Sequence, residues 1–259
     1  MAEQAKRVKL HILLRSLMAV CVVGIGVSSY LLIKSNREYA KGDEAYEQVR
    51  IALESNAITA LPANAPGNSD HKAVAVDFDA LKAINPDTTA WLLAEGSVID
   101  YPVVKGEDND YYLTRLFNGE KNKLGSLFVD YRNSSDFRDK NTVIYGHNMK
   151  DGSMFASLTQ YSDQSYYDSL PMMQLYTPDG AYRIELFAGI LADGSYEFVR
   201  FNFDDDQDFL AYIDSLKADS SFRSEVTVNP DDRIVTLCTC SYAFNNARYA
   251  LFGKLVPLQ

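Results

Sequence analysis

Eight short runs rich in β-branched and aromatic residues, separated by turn signals, constrain this chain more than any other feature. They cover residues 89–93, 98–104, 126–130, 142–146, 173–177, 182–192, 233–239 and 249–256. Such residues suit a pleated, half-buried surface, and five of the 17 tyrosines fall in these runs. Shorter helical stretches lie between them at 78–84, 110–117, 154–160 and 165–170. A clearer amphipathic helix is predicted over 206–218, with Phe209, Leu210, Ile213 and Leu216 as its apolar face. Many short strands with inserted helices point to a mainly β barrel or sandwich, not a doubly wound sheet. A closed barrel also leaves no unpaired edge.

The first 37 residues differ from the rest. Residues 16–33 (SLMAVCVVGIGVSSYLLI) form an uncharged, mainly apolar run of 18 residues. At about 1.5 Å per residue this just spans a bilayer core. Lys6, Arg7, Lys9 and Arg15 precede the run, while Lys34, Arg37 and Lys41 follow it mixed with Glu38, Asp43 and Glu44. The positive-inside bias therefore predicts a retained signal anchor, with its N-terminus in the cytoplasm and the body outside. A cleaved signal peptide fits less well, because the run is long and offers no convincing small-x-small site before Tyr30. A helical stretch over 37–53 comes next, with Tyr39, Ala45, Val49 and Leu53 on one stripe. A linker rich in Ala, Asn and Pro spans 56–71. The expected organisation is tail and transmembrane anchor over 1–37, extracellular helix and linker over 38–73, and a globular domain over 74–259.

Beyond residue 37 the chain carries 19 basic residues against 34 acidic ones. A body this acidic is a poor partner for nucleic acid or anionic lipid head groups. Outside the anchor only Cys238 and Cys240 are cysteines, so no disulfide framework can be built. Two residues apart on a strand, they share a face but stand too far apart for a relaxed disulfide. A surviving thiol in an exported chain needs another reason.

His147 falls where a strand ends and a turn-like segment begins, and the other histidines, His11 and His71, lie in the anchor's flank and the linker. Cys240 closes the run 233–239 just before a polar stretch, whereas Cys238 also suits a buried core position. Arg248 opens the next run, separated from Cys240 by seven residues that include the turn signal Asn245-Asn246. If the two flanking strands pair antiparallel, Arg248 returns beside Cys240. A nearby cation lowers a thiol's pKa, a histidine moves protons, and a guanidinium offers a fork of donors to a developing oxyanion. Taken singly, each of the three also has an ordinary structural role.

Thr236-Leu237-Cys238-Thr239-Cys240, followed by Arg248, resembles the TLxTC signature of the sortase family. Residues 141–158 (NTVIYGHNMKDGSMFASL) resemble the histidine segment of its class B members, and residues 85–113 resemble their opening strands. The resemblance implies an eight-stranded sortase-type β-barrel with several inserted helices, preceded by an N-terminal transmembrane helix. It implies a cysteine transpeptidase in which Cys240 is the nucleophile, His147 the acid/base and Arg248 the electrostatic stabiliser. The substrate would be the C-terminal sorting signal of exported proteins, cleaved after threonine through a thioacyl-enzyme. An amine of a peptidoglycan precursor or a pilin lysine would then resolve it. No cofactor and no metal are implied. The same resemblance places Asn109, Leu113, Tyr145, Cys238 and Thr239 at the substrate groove, on the outer face of a Gram-positive type membrane. One departure is Cys238, where class B members often have serine.

Three other function classes compete, one of them a catalytically silent surface adhesin or scaffold. A papain-like cysteine peptidase would only hydrolyse, but there the cysteine opens a helix and precedes the histidine. A metal-binding module would use Cys238, Cys240 and His147 as ligands, although its cysteines are closer together than usual and a fourth ligand is not evident.

Overall fold

The computed structural model describes the chain outside residues 61–75, 197–198, 241–245 and 259, and only the backbone of residues 2, 3, 5–10, 12, 13, 52–60 and 240. All eight expected strands form: β1 (Thr88–Leu93), β2 (Asp100–Val104), β3 (Leu127–Val129), β4 (Asn141–Tyr145), β5 (Met172–Thr177), β6 (Gly180–Asp193), β7 (Ile234–Cys240) and β8 (Ala247–Pro257). They close into one barrel in the order β1-β2-β3-β4-β7-β8-β6-β5. Pairing is antiparallel except between β2 and β3 and between β4 and β7. The sandwich alternative falls away, because every strand has a neighbour on both sides. Leu92, Val103, Val129, Ile144, Leu237 and Leu251 are all fully enclosed.

Helices α1 (Ala2–Ala60), α2 (Phe78–Ile84), α3 (Gln164–Ser169) and α4 (Asp206–Ala218) complete the regular structure. Two stretches expected to be helical form 3-10 turns instead, Tyr111–Thr114 and Ala156–Ser162. Local chemistry sets the helix ends. Asp77 accepts the Ala80 N–H at 2.9 Å to cap α2, and Asp205 accepts the Asp208 N–H at 2.9 Å to cap α4. Asp206 and Asp208 sit in the first turn of α4 and Lys217 in its last, matching the helix dipole at both ends.

The buried face of α4 is Phe209, Tyr212, Ile213 and Leu216; Leu210, expected on that face, is only half-buried. Tyr212 takes its place because a phenol can bury its ring and keep its oxygen at the edge. This face packs on Phe187, Ile190, Ile234, Ala250 and Phe252 of β6, β7 and β8. Burying each large side chain is worth about 1.5–3 kcal/mol. The middle of β7 is consequently covered on both faces, and every residue from Ile234 to Thr239 is buried.

The chain divides into two compact units, Met1–Glu44 and Ala45–Gln259. Leu14–Ile51 is long and apolar enough to cross a membrane. Large side chains from Leu17 to Ile33 are exposed. Residues 56–60, expected in the linker, extend α1 instead, and 61–71 lie outside the described residues. So does position 74, the expected start of the globular domain.

Within the second unit α1 docks on the barrel through Tyr46 and Val49, both buried. The Tyr46 ring meets Tyr101 of β2 edge-to-face at 5.1 Å, and its hydroxyl donates to the Gly125 carbonyl at 2.6 Å. Burial pushes the Tyr46 phenol well above the ordinary tyrosine range. Arg50 adds a bond to the Asp100 carbonyl at 3.2 Å. Tyr46→Phe is expected to cost about 1 kcal/mol, the net worth of a buried hydrogen bond. Tyr46→Ala is expected to cost about 3–5 kcal/mol through lost packing. Urea unfolding followed by circular dichroism reads both, and an Ala variant as stable as the parent would mean that the docked turn is not part of the folded unit.

Candidate active site

β7 lies between β4 and β8, and both registers converge on its C-terminal end. Tyr145 pairs with Cys238 in the parallel ladder, and the Gly146 N–H extends that ladder by donating to the Cys238 carbonyl at 3.2 Å. His147 is the next residue. On the other side β8 returns antiparallel, with Cys240 opposite Arg248 and Cys238 opposite Ala250. The antiparallel return inferred from the turn signal is thus present.

These strand ends, the loop after β2 and Phe128 of β3 enclose a cavity of about 400 Å³, lined by Asn109, Asp110, Leu113, Phe128, Tyr145, Gly146, His147, Cys238, Thr239 and Arg248. It therefore collects Asn109, Leu113, Tyr145, His147, Cys238, Thr239 and Arg248 from the expected site residues. Cys240 is described by its backbone alone, at the end of β7 with its Cα opposite that of Arg248. Residues 241–245, the polar stretch expected after it, lie outside the described residues. Cys238 is buried, at 6% exposure, in the wall of the cavity. The Thr239 hydroxyl is buried there too and has no hydrogen-bond partner among the described residues. Among the described residues no group of three His, Cys, Asp or Glu side chains is arranged to hold a metal.

Close packing fixes the imidazole. His147 Nε2 lies 2.7 Å from the Leu113 carbonyl oxygen, which can only accept, so this nitrogen carries a proton. Gly146 has no room for a side chain, since a Cβ there would fall 2.4 Å from Leu127 and 2.7 Å from Phe155. The Phe155 N–H donates to the His147 carbonyl at 2.9 Å, closing the following loop, and the Tyr101 hydroxyl lies 3.2 Å from the Met154 nitrogen. Gly125 supports the ring from behind with φ +61°. A Cβ on it would come within 2.7 and 2.8 Å of the Tyr112 and Leu113 carbonyls and 3.0 Å of His147 Cδ2. The same Gly125 carbonyl receives the Tyr46 hydroxyl from α1.

The far wall is organised electrostatically. Asp130 follows β3, is fully buried, and receives Arg132 Nε at 2.9 Å and Nη2 at 2.8 Å. Burial opposes its charge, but Arg132, Asn109 and Tyr145 together hold its carboxyl below the usual range. Burial first, and then the Asp130 and Cys238 neighbours, push the Tyr145 phenol well above its ordinary value. Sequence reasoning missed Asp110, Phe128 and Gly146 in the lining and Asp130 behind it. The one available signal was an acidic residue closing an apolar strand, a position that reads equally as an ordinary exposed turn.

No family model matches the chain. Sortase B of Listeria monocytogenes is 40% identical over 178 residues, covering 68% of this chain and 72% of the relative. The chain belongs to the sortase B family. Sortase B of Staphylococcus aureus is 32% identical over 183 residues, covering 70% of this chain and 75% of that protein. The solved structure of a Staphylococcus aureus sortase B–substrate complex aligns with a TM-score of 0.75 at 28% identity, covering 86% of this chain and 100% of the other. The sortase resemblance and the eight-stranded barrel with inserted helices are therefore borne out, and a papain-like fold is excluded. Membership of the sortase B family makes cysteine transpeptidation the activity of this chain's family.

Gly125→Ala is expected to destabilise the fold by about 1–3 kcal/mol, because a side chain at positive φ would also collide with two carbonyls. The histidine ring should move with it. Thermal unfolding and the His147 imidazole NMR shifts check this, and unchanged shifts would show that Gly125 does not support the ring.

Proposed function

We propose that the chain is a membrane-anchored cysteine transpeptidase that attaches exported proteins to an amine of the cell envelope. The observation that carries the proposal is the register of β7. Its last residue, Cys240, pairs with Arg248, while the residue two before it, Cys238, pairs with Tyr145, two before His147. Cys240, Arg248 and His147 thereby come from strand ends at one end of one barrel.

In the first step the Cys240 thiolate attacks the carbonyl carbon of the threonine in a C-terminal sorting signal. A C–S bond forms, the carbonyl electrons move to oxygen, and Arg248 donates to that oxyanion. As the C–N bond breaks, His147 gives a proton to the departing amine. With Nε2 committed to the Leu113 carbonyl, Nδ1 is the nitrogen suited to this exchange. In the second step an amine of a peptidoglycan precursor, or a pilin lysine, attacks the thioester. The C–N bond re-forms, His147 takes the amine's proton, and the thiolate departs. Proximity of Arg248 and of the imidazolium favours the thiolate over the thiol.

Asn109, Leu113, Tyr145, Cys238 and Thr239 hold the signal peptide. The Thr239 hydroxyl, buried and without a hydrogen-bond partner among the described residues, suits a substrate polar group. Residues 1–37 serve as tail and membrane anchor, 38–73 as extracellular helix and linker, and 74–259 as the catalytic domain. The basic residues before the apolar run place the N-terminus in the cytoplasm and the barrel outside a Gram-positive type membrane.

The test takes the full chain in detergent micelles with a panel of sorting-signal peptides and amine acceptors, followed by mass spectrometry. A thioester on Cys240 and an amine-transfer product are expected. Cys240→Ala should abolish both, and His147→Ala and Arg248→Ala should each lower turnover by about a hundredfold or more. Full activity in any of the three, or hydrolysed product alone at saturating amine, would overturn the reading.

A further inference from the structure

We propose that Asp130, which does not line the cavity, sets the donor and acceptor pattern of its far wall and so acts as the positioning residue for the bound peptide. The inference rests on the transpeptidase reading above and adds to it a group that touches no reacting atom.

The argument is a count of protons. Tyr145 owns one hydroxyl proton, and it donates that proton to Asp130 Oδ2 at 3.0 Å. Its oxygen therefore meets the cavity only as an acceptor. Asn109 donates one amide N–H to the same Oδ2 at 3.1 Å, and its own oxygen accepts the Tyr131 N–H at 3.0 Å. Only the second Asn109 N–H remains for the cavity, so this residue meets it as a donor. One carboxylate thus presents an acceptor and a donor on the same wall, a pair that matches the N–H and C=O of a peptide chain.

The carboxylate must be ionised to do this, and its surroundings keep it so. Arg132 grips it with two parallel N–H bonds, and the Arg132 backbone N–H adds a third contact at 3.0 Å. The guanidinium in turn lies 4.3 Å from the Phe201 ring centre, which fixes its plane. Backbone bonds hold Asp130 itself, its N–H donating to Val143 of β4 at 2.9 Å and its carbonyl accepting from Asn133 at 3.0 Å. Because Val143 and Tyr145 belong to the same strand, Asp130 and the hydroxyl it orients cannot drift apart.

Asp130→Asn keeps the shape but puts an amide where a charge stood. The Arg132 fork spans both oxygens, so an Asn NH2 in either position confronts a guanidinium donor and drives the fork away. At the Oδ2 position it also faces Tyr145 and Asn109, so the phenol proton turns into the cavity and the acceptor becomes a donor. Either way the wall loses the charge that fixed its pattern.

The test compares the full chain in micelles with Asp130→Asn, Tyr145→Phe and the double variant. Asp130→Asn is expected to raise KM for the sorting peptide about tenfold, while kcat changes by less than about threefold. Alkylation of Cys240 by iodoacetamide should keep its parent rate, which a general loosening of the site would alter. In the Tyr145→Phe background the added Asp130 change should raise KM by less than about threefold, because the proton it orients is already gone. A parent-like KM, full additivity of the two changes, or a parallel fall in kcat and alkylation rate would each overturn the proposal. Should Asp130→Asn fail to fold, Arg132→Lys replaces it; loss of the fork must then raise KM with alkylation intact. A parent chain that turns over no peptide, with Cys240 still alkylated normally, would count against the transpeptidase reading instead.

Discussion

Everything at the rim depends on β7 being hydrogen-bonded on both sides. The parallel ladder to β4 and the antiparallel ladder to β8 fix which residues meet at its end, because a strand side chain changes face with every single-residue slip. Burial of β7 between the barrel interior and α4 makes such a slip expensive, since it would exchange residues fitted to two different apolar environments. The register that brings Arg248 opposite Cys240 is therefore held by the core, not by the site.

A layer of backing groups then refines what the ladders place. Gly125 and Gly146 admit close approach, and the carbonyl of Leu113 fixes a proton on His147. Asp130 orders the opposite wall with a charge buried among five donors. Buried ionised groups are costly unless fully satisfied, and Asp130 meets that condition. The helix α1 reaches this layer as well, through the bond from Tyr46 to Gly125.

Much of this was legible before any coordinates. The strands could be read because runs such as Ile234–Cys240 carry β-branched residues between clear turn signals. The helix Asp206–Ala218 could be read because it has a charged cap and apolar residues at helical spacing. The Cys240–Arg248 pairing followed from one turn signal and the rule that adjacent strands return antiparallel. Closure of the barrel was less accessible, since the parallel pairing of β4 with β7 joins segments with no local mark of their partnership. Tyr46 was passed over because the stripe through Val49 was drawn with Ala45, whereas the docked face carries Tyr46 beside Val49. Asp130 was passed over because its partner Asn109 comes from a loop, and loops carry no periodicity from which proximity can be inferred.

The parallel crossover from β4 to β7 has one more consequence, for the order of events as the chain folds. Asn141 can meet Ile234 only after the intervening chain, including β5, β6 and α4, has been gathered in. Contacts so distant in sequence form late, because the entropy of closing the loop must be overcome before any bond compensates it. Until then Cys240 has Arg248 opposite it across the local β7–β8 hairpin, but His147, which follows β4, has not been brought alongside. On the proposed mechanism, the full set of Cys240, Arg248 and His147 thus comes together only with the finished barrel, and a half-folded chain would lack the imidazole needed to pass a proton to the leaving amine.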